Sequence, residues 1–130
     1  MTINNYLKSG RRTIRIESKG LEKLAKTLST DFNIVCDKLF KTKGKIITLG
    51  IGKSGHIAKK VAATLSSTGS ASSFINAGEA LHGDIGGINK NDAVIIFSHS
   101  GETEEIIGLI PFLKSLGCEF FSITGSKDSF

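Results

Sequence analysis

The sequence predicts an α/β protein built on a parallel sheet that is covered on both faces. Two short runs, Ile46-Ile47-Thr48-Leu49 and Ala93-Val94-Ile95-Ile96-Phe97, are β-branched and almost wholly apolar, as strands buried on both sides are. Each runs straight into a turn rich in glycine and serine: Leu49-Gly50-Ile51-Gly52-Lys53-Ser54-Gly55-His56 after the first, Ser98-His99-Ser100-Gly101-Glu102-Thr103 after the second. Beyond each turn, apolar residues return at helical spacing. They are Ile57, Val61, Ala62 and Leu65 in one case, and Ile106, Ile107, Leu109, Ile110, Leu113 and Leu116 in the other. Strand, turn and helix in repeated series imply parallel strands, and such sheets bind ligands at the carboxyl ends of their strands.

Taken in order, residues 3–28 read as largely helical, with a break at Gly10 or Gly20. Leu21, Leu24, Leu28, Phe32, Val35 and Leu39 form an apolar stripe that allows either one long helix or a second helix N-capped by Asp31 and ended by Thr42-Lys43-Gly44. These helices suit either the sheet or another subunit as their partner. Ser66-Ser67-Thr68-Gly69-Ser70 stops the helix after the first strand. Ser73-Phe74-Ile75-Asn76 reads as a second strand, and Gly78-Glu79-Ala80-Leu81-His82-Gly83-Asp84 as a loop or short helix. Pro111 falls inside the later helical pattern and predicts a kink or a late first turn there. Phe120-Phe121-Ser122-Ile123-Thr124 is a fourth strand ending at Gly125, with the chain stopping soon after it, so the core is expected to be C-terminally incomplete.

Composition narrows the class. The 130 residues suit one compact domain, and 39% apolar and 22% charged residues are ordinary for a globular chain. No apolar run approaches the roughly 20 residues of a membrane helix, and Lys8, Arg11 and Arg12 are not followed by the apolar core of a secretory signal. A cytoplasmic protein without a membrane partner is expected. Cys36 and Cys118 match no metal spacing and read as free, partly buried thiols. The net charge of +5 includes Lys38, Lys41, Lys43 and Lys45 beside one turn. No interleaved aromatics or finger spacing support a nucleic-acid surface; a small anionic substrate accounts for the balance equally well, and most of it reads as a solvated face.

The first turn carries the chemistry of an anion site. Its glycines allow a sharp turn and a close backbone approach, and the helix start behind it offers free N–H groups and a positive dipole. Lys53 adds a cation and Ser54 a hydroxyl. Gly50, Gly52 and Gly55 also satisfy the dinucleotide pattern G-x-G-x-x-G. The acidic residue needed at the end of the second strand is absent, since that strand ends in Asn76-Ala77-Gly78. A P-loop would need a glycine at Ile47. The remaining reading uses both turns: Ser54 from one strand end, and Ser98, Ser100 and Thr103 from the other, surround a phosphate monoester. Helix capping by Ser98 or Ser100 accounts for only one of these hydroxyls.

Ser98-His99-Ser100-Gly101-Glu102-Thr103 resembles the S-x-S-G-E-[ST] signature of sugar isomerase (SIS) domains. With the first glycine turn and Gly78-Glu79-Ala80-Leu81-His82-Gly83-Asp84-Ile85-Gly86, the chain closely resembles the arabinose-5-phosphate isomerases of lipopolysaccharide and capsule biosynthesis, from about Lys45 to Gly125. The resemblance implies a flavodoxin-like, three-layer αβα sandwich over residues 44–130, with residues 1–43 as N-terminal helices. It implies interconversion of D-ribulose 5-phosphate and D-arabinose 5-phosphate, with neither cofactor nor metal. Such relatives usually form tetramers and often carry a CBS pair after the SIS domain, which this sequence lacks. The family commonly has Asn where this chain has His99. It also places a further glutamate and histidine beyond this chain's end, so these 130 residues alone are expected to bind a sugar phosphate weakly and to turn over negligibly.

Aldose–ketose isomerisation needs a base near neutral pKa, an acid for the carbonyl oxygen and a positive charge. Here the resemblance points to Lys53, His82 and Glu105 as the catalytic set. Gly52, Ser54, Glu79, Ser98, His99, Ser100, Gly101, Glu102 and Thr103 then form the substrate-binding set. Plainer roles compete: Glu102 and Glu105 suit a helix dipole, His82 suits loop ordering, and His56 suits packing behind the turn. A sugar-phosphate-sensing SIS domain of a regulator is the alternative function.

Overall fold

The computed structural model describes residues 3–126 and Ser129. Lys127, Asp128 and Phe130, on which the reading of the chain's end partly rests, lie outside the described residues. The chain divides into two compact units, Met1–Cys36 and Asp37–Phe130.

In the first unit, helix α1 runs unbroken over Ile3–Thr27. The expected break at Gly10 or Gly20 does not occur: no proline adjoins either glycine, so each weakens the helix by about 1 kcal/mol without ending it. Helix α2 spans Thr30–Phe40. Its start corrects the sequence reading, because Ser29 and not Asp31 takes the capping position. The Ser29 hydroxyl accepts from the Asp31 N–H at 3.3 Å and donates to the Asp31 carboxylate at 3.0 Å. Asp31 instead places its charge in the first turn, where the dipole favours it. Cys36 is exposed, not partly buried as expected.

The second unit holds the sheet. Strands β1 (Ile46–Gly50), β2 (Ser72–Asn76), β3 (Ala93–Phe97) and β4 (Glu119–Ile123) lie in the order β2-β1-β3-β4, all parallel. Helix α3 (Gly52–Ser67) follows β1, a single-turn helix α4 (Ala77–Ala80) follows β2, and α5 (Glu104–Leu116) follows β3. A 3₁₀ turn covers Asp84–Gly87. Alternate side chains of the two central strands face opposite layers. Ile47, Leu49, Val94 and Ile96 pack with Ile106, Leu109 and Leu113 of α5 and with Ala77 and Ala80 of α4. Ile46, Ile95 and Phe97 pack on the other side with Ala58 of α3, joined by Val61, Leu65 and Leu39. This is the three-layer αβα sandwich the sequence implied. Leu39 and Lys38 belong with this unit: Leu39 packs on the second cluster, and Lys38 pairs with Glu119 at 2.8 Å. The division therefore falls earlier than residue 43.

Two buried polar groups show how the layers are fastened. The Thr48 hydroxyl, fully buried, donates to the Ala58 carbonyl at 2.8 Å and ties β1 to α3. Asp92 accepts from the Lys45 N–H at 2.7 Å and the Asn89 N–H at 2.8 Å, joining the entries to β1 and β3. Cys118 is buried, and desolvation raises its thiol pKa above the ordinary 9.0, with the Asp92 and Glu119 charges adding to the effect. Pro111 sits in the interior of a continuous α5, so the late first turn expected there does not form.

Candidate functional site

The site follows from the strand order. β2 lies on one side of β1 and β3 on the other, so the chain reverses direction across the sheet between β1 and β3. In open parallel sheets that reversal leaves a crevice at the carboxyl ends. The register pairs Gly50 with Phe97 and with Asn76, so Ile51, Ser98 and Ala77 leave the sheet side by side.

The first wall is the β1–α3 turn. Gly50 and Gly55 pack backbone on backbone: a Cβ on Gly50 would lie 3.2 Å from the Gly55 Cα, and one on Gly55 would lie 3.2 Å from the Gly50 carbonyl oxygen. Gly52 takes φ +56°, a left-handed conformation that glycine adopts without strain. The helix starts from Ile51 with no side-chain cap, which leaves the first N–H groups of α3 open to an anion.

The second wall is the turn from β3 into α5. Ser98, 4% exposed, accepts from the Gly101 N–H at 3.0 Å and shares a hydrogen bond with the Thr103 hydroxyl at 3.1 Å. Ser100 accepts from the Glu102 N–H at 3.2 Å. Thr103 occupies the N-cap position of α5, and its side chain makes no capping bond there. The serines therefore shape the turn, and the open helix start supplies further donors. Gly101 is buried in this turn with φ +71°.

The two walls meet at a cavity of about 230 Å³ lined by Ser54, Ser98, His99, Thr124 and Gly125, with Ile57 and Ile123 on its apolar side. A second cavity of about 190 Å³ opens on the α5 side of Ser98, Gly101 and Thr124. Ser54, Ser98 and His99 are thus brought together, and Gly101 touches only the second cavity. Lys53, His82, Glu79 and Glu102 lie at the same edge, Glu105 is half-buried in the first turn of α5, and none of these lines either cavity. His82 follows α4, and its N–H donates to the Glu79 carbonyl at 2.8 Å. His56 is exposed on α3, which corrects the expectation that it packs behind the turn: the space there is closed by the two glycine backbones. Sequence reasoning does not single out Thr124 and Gly125 as site residues; their only signal is their place at the end of the fourth strand.

Comparison with known proteins agrees with this architecture. The "SIS domain" family model matches residues 38–130. "Arabinose 5-phosphate isomerase KdsD" of Salmonella typhi is 43% identical over 125 residues, covering 96% of this chain and 38% of that protein, and the KdsD of Pseudomonas aeruginosa matches to the same extent. The chain therefore spans well under half the length of these curated relatives. The solved structure of E. coli CFT073 c3406 in complex with arabinose 5-phosphate superposes with a TM-score of 0.94 at 38% identity, over 99% of this chain and 69% of that one. With its family signature, strand order and paired serine–glycine turns, the chain belongs to the SIS domain family.

Proposed function

We propose that this chain is the SIS domain of an aldose–ketose isomerase that interconverts D-ribulose 5-phosphate and D-arabinose 5-phosphate through an enediol. The observation that carries the reading is the meeting of Ser54 and Ser98 at one cavity, between two helix starts without side-chain caps. A phosphate monoester has three oxygens that need donors from several sides, and two converging helix N-termini meet that need. The likeness to KdsD and to a structure bound to arabinose 5-phosphate supports the pentose phosphate as substrate.

In this reading the phosphate is held by Ser54, Ser98, Ser100, Thr103 and the open N–H groups, with His99, Gly52 and Gly101 shaping its surroundings. A base takes the proton from the carbon beside the carbonyl and returns it to the neighbouring carbon, while a second proton moves between the two oxygens. Glu105, half-buried, is the proposed base. His82 handles ring opening or the oxygen-bound proton. Lys53 neutralises the enediolate, and Glu79 and Glu102 neighbour the sugar. The chain is proposed to act in the cytoplasm as a homo-oligomer, a tetramer as the family resemblance implies. Among the described residues, no helix is long and apolar enough to cross a membrane.

The test is conversion of ribulose 5-phosphate to arabinose 5-phosphate by a full-length parent that carries this chain, followed by NMR, with hexose 6-phosphates as comparison. Selective turnover of the pentose supports the reading. Tight binding without turnover assigns the chain to sugar-phosphate sensing instead.

A further inference from the structure

The parallel ladder between β3 and β4 continues past both strand ends. The Ser98 N–H donates to the Ile123 carbonyl at 3.1 Å, and the Gly125 N–H donates to the His99 carbonyl at 2.9 Å. Ser98 and His99 therefore leave the sheet with the strand's alternation intact. Ser98 follows Ile96 toward the α5 layer, and His99 follows Phe97 toward the α3 layer, where Ser54 lies. The contact that sets His99 there is unusually close. A Cβ on Gly125 would stand 3.0 Å from the His99 Cε1, 3.0 Å from its Nδ1 and 3.0 Å from its carbonyl oxygen. Real Cβ atoms rarely come so near, so any larger residue at 125 forces the ring and the backbone behind it to shift.

We propose that Gly125 is a positioning residue of the sugar-phosphate site: having no side chain, it lets the His99 ring and carbonyl close onto the end of β4, which sets the imidazole at the rim of the Ser54–Ser98 cavity as a further donor to the phosphate. The proposal rests on the sugar-phosphate reading above. It makes the end of the fourth strand part of the phosphate site, although neither glycine turn contains it. The imidazole reaches the cavity from the α3 side, whereas the Ser98 side chain stands toward the α5 side, where Gly101 and Thr103 hold it. The two groups are therefore not redundant.

Calorimetric titration of arabinose 5-phosphate into the wild type, His99→Ala, Gly125→Ala and the double variant tests this. Each single change is expected to weaken binding about tenfold, the loss of roughly one charge-assisted hydrogen bond. The double variant is expected to bind no more weakly than His99→Ala, because Gly125 acts through the ring. Wild-type affinity in Gly125→Ala, or losses that multiply in the double variant, would overturn the proposal while leaving the sugar-phosphate reading intact. Absence of binding by the wild type would overturn both. Should Gly125→Ala fail to fold by circular dichroism, His99→Ala decides alone: a tenfold loss retains the proposal and wild-type affinity overturns it.

Discussion

Before any ligand arrives, the Ser98 hydroxyl already has two partners, the Gly101 N–H and the Thr103 hydroxyl, and it is buried. The side chain is held in place by these partners, and when the Thr103 hydroxyl is the donor between the two, Ser98 keeps its own hydrogen for a phosphate oxygen and loses little rotamer freedom on meeting it. Ser100, exposed and bonded only to the Glu102 N–H, is less constrained. Replacing both by alanine is expected to remove roughly 1–3 kcal/mol of binding per charge-assisted bond. Calorimetry with arabinose 5-phosphate measures this, and unchanged affinity would discard the phosphate assignment. Lys53 behaves differently. It is exposed in the first turn of α3, where its positive charge opposes the helix dipole and where it lines neither cavity beside Ser98. An unfavourable local placement suits a charge reserved for the enediolate. In a full-length parent, Lys53→Ala is therefore expected to lower kcat more than it raises KM in the proposed isomerase reaction. A change confined to KM would move Lys53 to the phosphate.

At the scale of elements, the strands that carry the site are fixed at their opposite ends by one carboxylate. Asp92, 6% exposed, satisfies the N–H groups of Lys45 and Asn89, and the Ala93 N–H donates to the Lys45 carbonyl at 3.0 Å. Asp92→Ala leaves two shielded donors unpaired. At about 1–3 kcal/mol each, the variant is expected to lose roughly 2–6 kcal/mol of stability. Urea unfolding followed by circular dichroism reads the loss, and a midpoint within error of wild type would show that water replaces the carboxylate freely. Such fastening is illegible in sequence, because Lys45 and Asp92 are far apart along the chain. The strands are legible: β3 reads at its observed limits, and β1, β2 and β4 within a residue at either end, because apolar β-branched runs have few other uses. Helix α4 is not distinguishable from a loop in sequence, since a single turn has no periodicity to detect. The break between α1 and α2 is ambiguous because the apolar stripe runs through it, and only the Ser29 cap shows where the backbone turns. In the site, the two serine–glycine turns are legible from composition. Thr124 and Gly125 are not, because their role comes from the register of β3 on β4.

For the whole molecule, the apolar stripe of α1 is the surface on which the proposed homo-oligomer rests. All of the side chains described on this helix are exposed, and Leu7, Ile14 and Leu21 recur at seven-residue spacing with Leu24 three residues on. That is the a and d spacing of a helix that packs along another helix. Arg11 flanks this stripe, and Lys8, Arg12, Arg15, Lys19, Lys23 and Lys26 lie away from it. Ile14 is 67% exposed and Leu21 is 68% exposed within the single chain. Fully burying one such side chain yields roughly 1.5–3 kcal/mol, so a seam of four favours association strongly. The proposed homo-oligomer gives this stripe a partner in a second copy of the same helix. Sedimentation equilibrium is expected to return a multiple of the 13.8 kDa chain mass, and Ile14→Lys with Leu21→Lys is expected to shift it toward the monomer while helix content by circular dichroism is kept. The paired lysines act twice, by removing roughly 3 kcal/mol or more of burial per chain and by setting like charges against each other across the seam. A wild-type mass of 13.8 kDa would remove the second copy from the account of α1. An oligomer unchanged by the two lysines would move the interface to another surface.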